Sequence, residues 1–115
     1  MQNRRFYTRY RVNADVRIGT TSGKVYKAEL VDLSAEGGRI RLYDIPDLNQ
    51  GDGVYLLIKF KQFNFKAKAE VRWIKKDKFV DVGLKFKEMT MADRQVLSEI
   101  LSEIALANLE DSFLR

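Results

Sequence analysis

The 115-residue chain contains no cysteine and no histidine. Without cysteine there are no disulfides, which fits a reducing compartment. Without either residue, the usual ligand sets for zinc, haem and iron–sulfur clusters cannot be assembled. The Ser–His–Asp and Cys–His nucleophile systems are excluded as well. The acidic residues are scattered and show no calcium-loop spacing. The expectation is therefore a binding protein and not an enzyme. No apolar run approaches the roughly 20 residues needed to span a bilayer. The polar, arginine-rich start has no secretory apolar region, so a cytoplasmic location without a membrane span is expected.

Apolar residues make up 45% and charged residues 32%, a globular balance and not a disordered one. A chain of this length is read as one domain with one core. The net charge is +5, and all of the excess lies near the front. Residues 1–24 hold six basic residues (Arg4, Arg5, Arg9, Arg11, Arg17, Lys24) against Asp15 alone, and the remaining 91 residues balance at 15 of each sign. Long-range attraction of an anion is focused on that segment.

Residues 1–11 show neither helical nor strand period and read as a basic N-terminal arm. Residues 12–115 read as a barrel followed by a helix. Val12, Ala14, Val16 and Ile18 alternate with polar residues, as in a half-buried strand. A second strand covers about Lys24 to Leu33, and a turn over Ser34 to Gly38 leads into a third, Arg39 to Tyr43. Asp44 to Gly53, with the single proline, is a loop. Val54 to Phe60 is nearly continuously apolar and predicts a strand buried on both faces. Phe63, Phe65, Ala67, Ala69, Val71 and Trp73 alternate through a long strand, which assigns Trp73 to the core. Lys75 to Lys78 is a turn, and Val80, Val82, Leu84 and Phe86 mark the last strand. Six or seven strands at meander spacing predict a mainly β fold, an antiparallel β-barrel.

The period then changes. Thr90-Met91-Ala92-Asp93 is a capping box with Asp in the acidic place. Val96, Leu97, Ile100, Leu101, Ile104 and Ala105 recur at helical spacing, so a C-terminal helix over about 91–113 is expected. Its first half should close the barrel. Its second half should overhang and offer a surface for a homodimer or another partner.

Two segments carry the chemistry. Arg4-Arg5-Phe6-Tyr7-Thr8-Arg9 supplies planar cationic forks and no lysine. Guanidinium grips phosphate oxygens in pairs, pairs bidentately with guanine O6 and N7, and stacks on bases. Asp32-Leu33-Ser34-Ala35-Glu36-Gly37-Gly38 is a polar turn. Asp32 can accept N–H groups from a guanine edge, and Ser34 can donate to phosphate or brace the turn. Gly37 and Gly38 permit positive φ and close approach to a ligand. Bland readings exist for both segments: a solubilising tail and a turn-shaping pair.

Taken in order, Arg4-Arg5-x-x-x-Arg9 and Asp32-x-Ser34-x-x-Gly37 resemble the paired signature of PilZ domains, bacterial receptors for cyclic di-GMP. Val71-Arg72-Trp73, Val82-Gly83-Leu84-Lys85-Phe86 and the closing helix fit the same family. The resemblance implies a split-barrel fold. It also implies that Arg5 and Arg9 clamp phosphates and guanine while Asp32, Ser34 and Gly37 hold the other face of a guanine. Arg4 before the pair goes with an intercalated dimer of cyclic di-GMP. Gly83 borders the site. The implied function is a second-messenger receptor that signals to a downstream protein in motility, secretion or polysaccharide synthesis. Two alternatives stand beside it: a barrel binding single-stranded nucleic acid, which is not expected here, and a ligand-independent adaptor.

Overall fold

The structure is a computed structural model that describes residues 14–44 and 46–113, with side chains for all of these except 108 and 110–113. Six strands follow one another: β1 (Asp15–Thr20), β2 (Val25–Leu33), β3 (Gly37–Leu42), β4 (Gly53–Phe60), β5 (Phe63–Lys76) and β6 (Val80–Phe86). One helix, α1 (Met91–Phe113), ends the described chain. All pairings are antiparallel, and the sheet closes in the order β1-β2-β3-β6-β5-β4. The chain is therefore a closed six-stranded barrel, mainly β. The β1–β4 seam lies opposite the β3–β6 seam.

Alternation sets the core. Val16 and Ile18 of β1, Ile40 and Leu42 of β3, and Leu56 and Ile58 of β4 are fully buried, as are Phe65 and Val71 of β5 and Val82 of β6. Contrary to the expectation from its apolar run, β4 is not buried on both faces. Its burial alternates strictly, with Tyr55 47% and Leu57 43% exposed on the outside. The strand covered on both sides is β6, where only Lys85 is exposed. Its sequence looks half-polar, but neighbouring side chains cover its outward positions Asp81 and Gly83.

Two β-bulges break the alternation. In β2 the pairing with β3 shifts between Leu30 and Asp32, and in β5 the pairing with β6 shifts between Val71 and Trp73. Each inserts one extra residue, Val31 or Arg72, and so turns the following side chain to the opposite face. Leu30 and Val71 point inward, while Asp32 and Trp73 point out. The assignment of Trp73 to the core is thus wrong: its indole is 42% exposed. The second bulge is held from outside by the β3–β4 loop. The Val71 N–H donates to the Asp52 carbonyl at 2.9 Å, and the Gly51 N–H donates to the Val71 carbonyl at 2.7 Å.

Helix α1 starts on its capping box. The Asp93 N–H donates to Thr90 Oγ1 at 3.0 Å, and that hydroxyl donates to Asp93 Oδ2 at 3.0 Å. Leu97 and Ile100 are buried in the barrel's core cluster, each contributing about 1.5–3 kcal/mol. Lys61, in the β4–β5 turn, pairs with Glu103 at 2.9 Å. Beyond Ile104 the helix leaves the barrel, and Ala105, Leu106, Ala107 and Leu109 are exposed. No helix among the described residues is long and apolar enough to cross a membrane.

Candidate functional site

The outer faces of β2, β3, β6 and β5 line up four residues in one rung. Asp32 pairs with Arg39, Arg39 with Gly83, and Gly83 with Trp73. Both ends of this rung face outward because of the two bulges. A carboxylate, a guanidinium, a gap and an indole thus lie side by side above the Ser34 turn. They line an open groove of about 380 Å³, whose walls include Ser34, Glu36, Gly37, Gly38, Arg72 and Lys85.

The turn is braced from within. The Ser34 N–H donates to the Gly37 carbonyl at 2.8 Å, and the Ser34 hydroxyl donates to the same oxygen at 3.2 Å. That hydroxyl oxygen accepts the N–H groups of Glu36 at 3.2 Å and Gly37 at 3.3 Å. Its one proton is spent inside the turn, so Ser34 shapes the site here instead of pointing a donor outward. The Phe86 N–H then ties the turn to the end of β6 through the Glu36 carbonyl at 2.8 Å.

Gly37 and Gly38 lie at the start of β3 and not in a turn with positive φ, as the sequence had suggested; positive φ occurs at Gly23, Gly51 and Lys61 among the described residues. Their need for glycine is close packing. A Cβ on Gly37 would fall on the Leu84 carbonyl oxygen, and one on Gly38 would lie 3.0 Å from the Asp32 carbonyl oxygen. At Gly83 a Cβ would fall on the Trp73 indole. The indole packs against the bare backbone of β6 at Gly83 and lines the groove. Gly83→Ala should push the ring away and shift the emission of the only tryptophan toward the red. Because the ring can swing into solvent, the thermal midpoint should move little. Unchanged emission would contradict this account of Gly83.

Arg39 stands between these parts. Its guanidinium carbon lies 5.7 Å from the Trp73 ring centroid, a cation–π distance. Its Nη2 donates to Asp81 Oδ2 at 2.6 Å, and its buried Nε has no acceptor among the described residues. Burial pushes the Asp32 carboxyl above its ordinary value of 3.8, and the Arg39 charge opposes that shift. The Arg41 hydrogen bond leads the effects that hold Asp81 below 3.8.

The five barrel residues singled out in the sequence, Asp32, Ser34, Gly37, Gly38 and Gly83, all line this groove. Arg4, Arg5 and Arg9 lie outside the described residues. Sequence reasoning missed Arg39, Arg72, Trp73 and Lys85. The available signals were an Arg-x-Arg pair in β3 and an aromatic residue following an arginine in a strand. The groove's formal charges nearly cancel, with Arg39, Arg72 and Lys85 facing Asp32 and Glu36. A polyanion seated here needs further cations, and the arm is where the sequence concentrates them.

A small closed barrel with an open polar groove on its outer face, floored by glycines and walled by an indole, defines a ligand-binding module. The PilZ domain family model matches residues 3–103, and the chain belongs to the PilZ domain family. Solved structures share the fold. The Bacillus subtilis inhibitor of motility MotI/DgrA is 22% identical with a TM-score of 0.69, the match covering 84% of this chain and 47% of that one. K. pneumonia MrkH in its apo state is 15% identical with a TM-score of 0.73, covering 89% and 50%. The structure of the MrkH–c-di-GMP complex matches at 15% identity and a TM-score of 0.70, covering 85% and 49%. The chain thus spans about half the length of these neighbours. A search of curated proteins finds no match.

Proposed function

We propose that the chain is a receptor for cyclic di-GMP that holds its ligand between the N-terminal arm and the groove beside the Ser34 turn. The observation that carries this reading is the outward rung Asp32–Arg39–Gly83–Trp73 on a PilZ barrel. Asp32 is an acceptor for guanine N–H groups. Trp73 offers a flat face on which a base can stack, and Gly83, Gly37 and Gly38 let the ligand come close to the backbone. The MrkH–c-di-GMP complex, in a protein of the same fold, supports the choice of ligand. A groove of about 380 Å³ is at the small end of ligand sites, about 300–1,000 Å³, and takes only part of a dinucleotide. Arg4, Arg5 and Arg9 close over the rest and meet the phosphates. An arginine at position 4 favours an intercalated pair of ligands. Ordering of the arm changes the surface shown to a downstream protein.

Titration calorimetry tests this reading. Cyclic di-GMP should bind saturably with a stoichiometry near two, and single-stranded oligonucleotides should not compete. Tighter binding of longer oligonucleotides with a steep salt dependence would instead favour the nucleic-acid alternative.

The raised pKa of Asp32 gives a pH dependence. Only the ionised carboxylate is a pure acceptor, so affinity should fall as pH drops through a window lying above 3.8. The folding term has the opposite sense. A raised carboxyl binds its proton more tightly when folded, so stability falls as pH rises through the same window. Asp32→Asn should weaken binding at neutral pH and flatten the acid fall. A fall of the same steepness in that variant would assign the titration to another group.

A further inference from the structure

Asp81 is the one buried charged residue among those described, at 6% exposure, and it serves two arginines. Arg41 takes it with two bonds, Nε to Oδ1 at 2.8 Å and Nη2 to Oδ2 at 3.1 Å. Arg39 takes it with one, Nη2 to Oδ2 at 2.6 Å. The two contacts therefore differ in kind. Arg41 is gripped as a fork, lies 4.7 Å over the Phe79 ring, and does not line the ligand groove. Arg39 is held at one corner and braced on its face by Trp73, so most of its donors stay unengaged. One carboxylate against two guanidinium groups also leaves the trio with a net positive charge.

Arg39 lines both the ligand groove and a neighbouring groove of about 250 Å³. Asp81 lines only the second. The carboxylate thus stands behind Arg39 as seen from the ligand. We propose that Asp81 is a positioning residue: it pins Arg39 by one nitrogen, so that the outer guanidinium donors, though not the buried Nε, are held at the groove for a phosphate oxygen or a guanine edge. The inference rests on the receptor reading above and adds a barrel-mounted cation to the arm's three. Its physical basis is preorganisation. A free arginine gives up rotamer freedom on gripping a ligand, whereas a pinned one has already done so.

The test is a double-mutant cycle with cyclic di-GMP on the full chain, using Asp81→Asn, Arg39→Ala and the pair. Each single change should weaken binding about tenfold, the scale of one charged hydrogen bond. The pair should be no weaker than Arg39→Ala alone, because Asp81 acts only through Arg39. A ligand-free readout accompanies it. The Nε–Hε signal of Arg39 should show restricted motion in the unaltered chain and free motion in Asp81→Asn. Asp81→Asn matches the original in shape, and Arg39→Lys, which keeps the charge but loses the fork, should also bind about tenfold more weakly. Undiminished binding by Asp81→Asn, or losses that simply multiply in the pair, would overturn the inference while leaving the receptor reading intact. No binding by the unaltered chain would remove the receptor reading and the ligand role of Arg39 together. Equal Arg39 motion with and without the Asp81 carboxylate would remove the pinning itself.

Discussion

Gly37→Ala is expected to destabilise the chain by about 3 kcal/mol, the upper end of what overpacking costs. The obstruction at Gly37 is backbone, not a side-chain tip. An added Cβ would meet the Leu84 carbonyl oxygen, with the Leu84 carbonyl carbon at 3.0 Å and the Lys85 Cα at 3.1 Å. None of these atoms can rotate aside. Relief requires β3 and β6 to part where Gly37 pairs with Lys85. That seam also carries the Arg39–Gly83 step of the ligand rung, so stability and binding should fall together. For a domain of this size the thermal midpoint should drop by about 10 °C or more. Gly38→Ala is the milder control, because its nearest atom lies at 3.0 Å and the next is a mobile Leu33 methyl at 3.4 Å. Calorimetric melting of both variants checks the order, and equal melting would contradict the packing argument.

The second large effect is on binding. Arg5→Ala with Arg9→Ala should weaken cyclic di-GMP binding about a hundredfold or more, from roughly tenfold for each lost charged contact. The groove cannot make up the loss. Its own cations, Arg39, Arg72 and Lys85, are nearly balanced by Asp32 and Glu36. The melting temperature of the ligand-free variant should stay within a few degrees of the parent. A loss of less than about threefold would make the arm a solubilising tail after all.

Much of the fold is legible in the residues because its signals are local. Strand alternation, the turn over Ser34 and the Thr90 capping box each depend on neighbours a few positions apart. The features that could not be read depend on partners far along the chain. The bulges at Val31 and Arg72 leave no mark in composition, yet each inverts the facing of the residues beyond it. For Trp73 this moves the chain's largest side chain from the expected core to the wall of the groove. For Asp32 it produces an outward carboxylate that simple alternation with Leu30 would have turned inward. Asp81 is the clearest long-range case. In β6 it reads as an ordinary solvent-facing residue, and only the register that sets Arg41 opposite and Arg39 two places on explains its burial. The exposure of Tyr55 and Leu57 has the same origin, since an apolar strand gives no sign of which alternate face a closed barrel leaves outside. Asp32 on β2 and Asp81 on β6 lie on strands that share β3 as a neighbour.

The most direct test of the central claim is to map the ligand on the chain. Amide shifts of the labelled protein should be followed during titration with cyclic di-GMP. The changes should concentrate at residues 32–39, 72–73 and 83–85, together with residues 4–9, and should saturate as one set. Changes gathered on the opposite β1–β4 seam, or an arm that keeps its ligand-free shifts at saturation, would contradict the account.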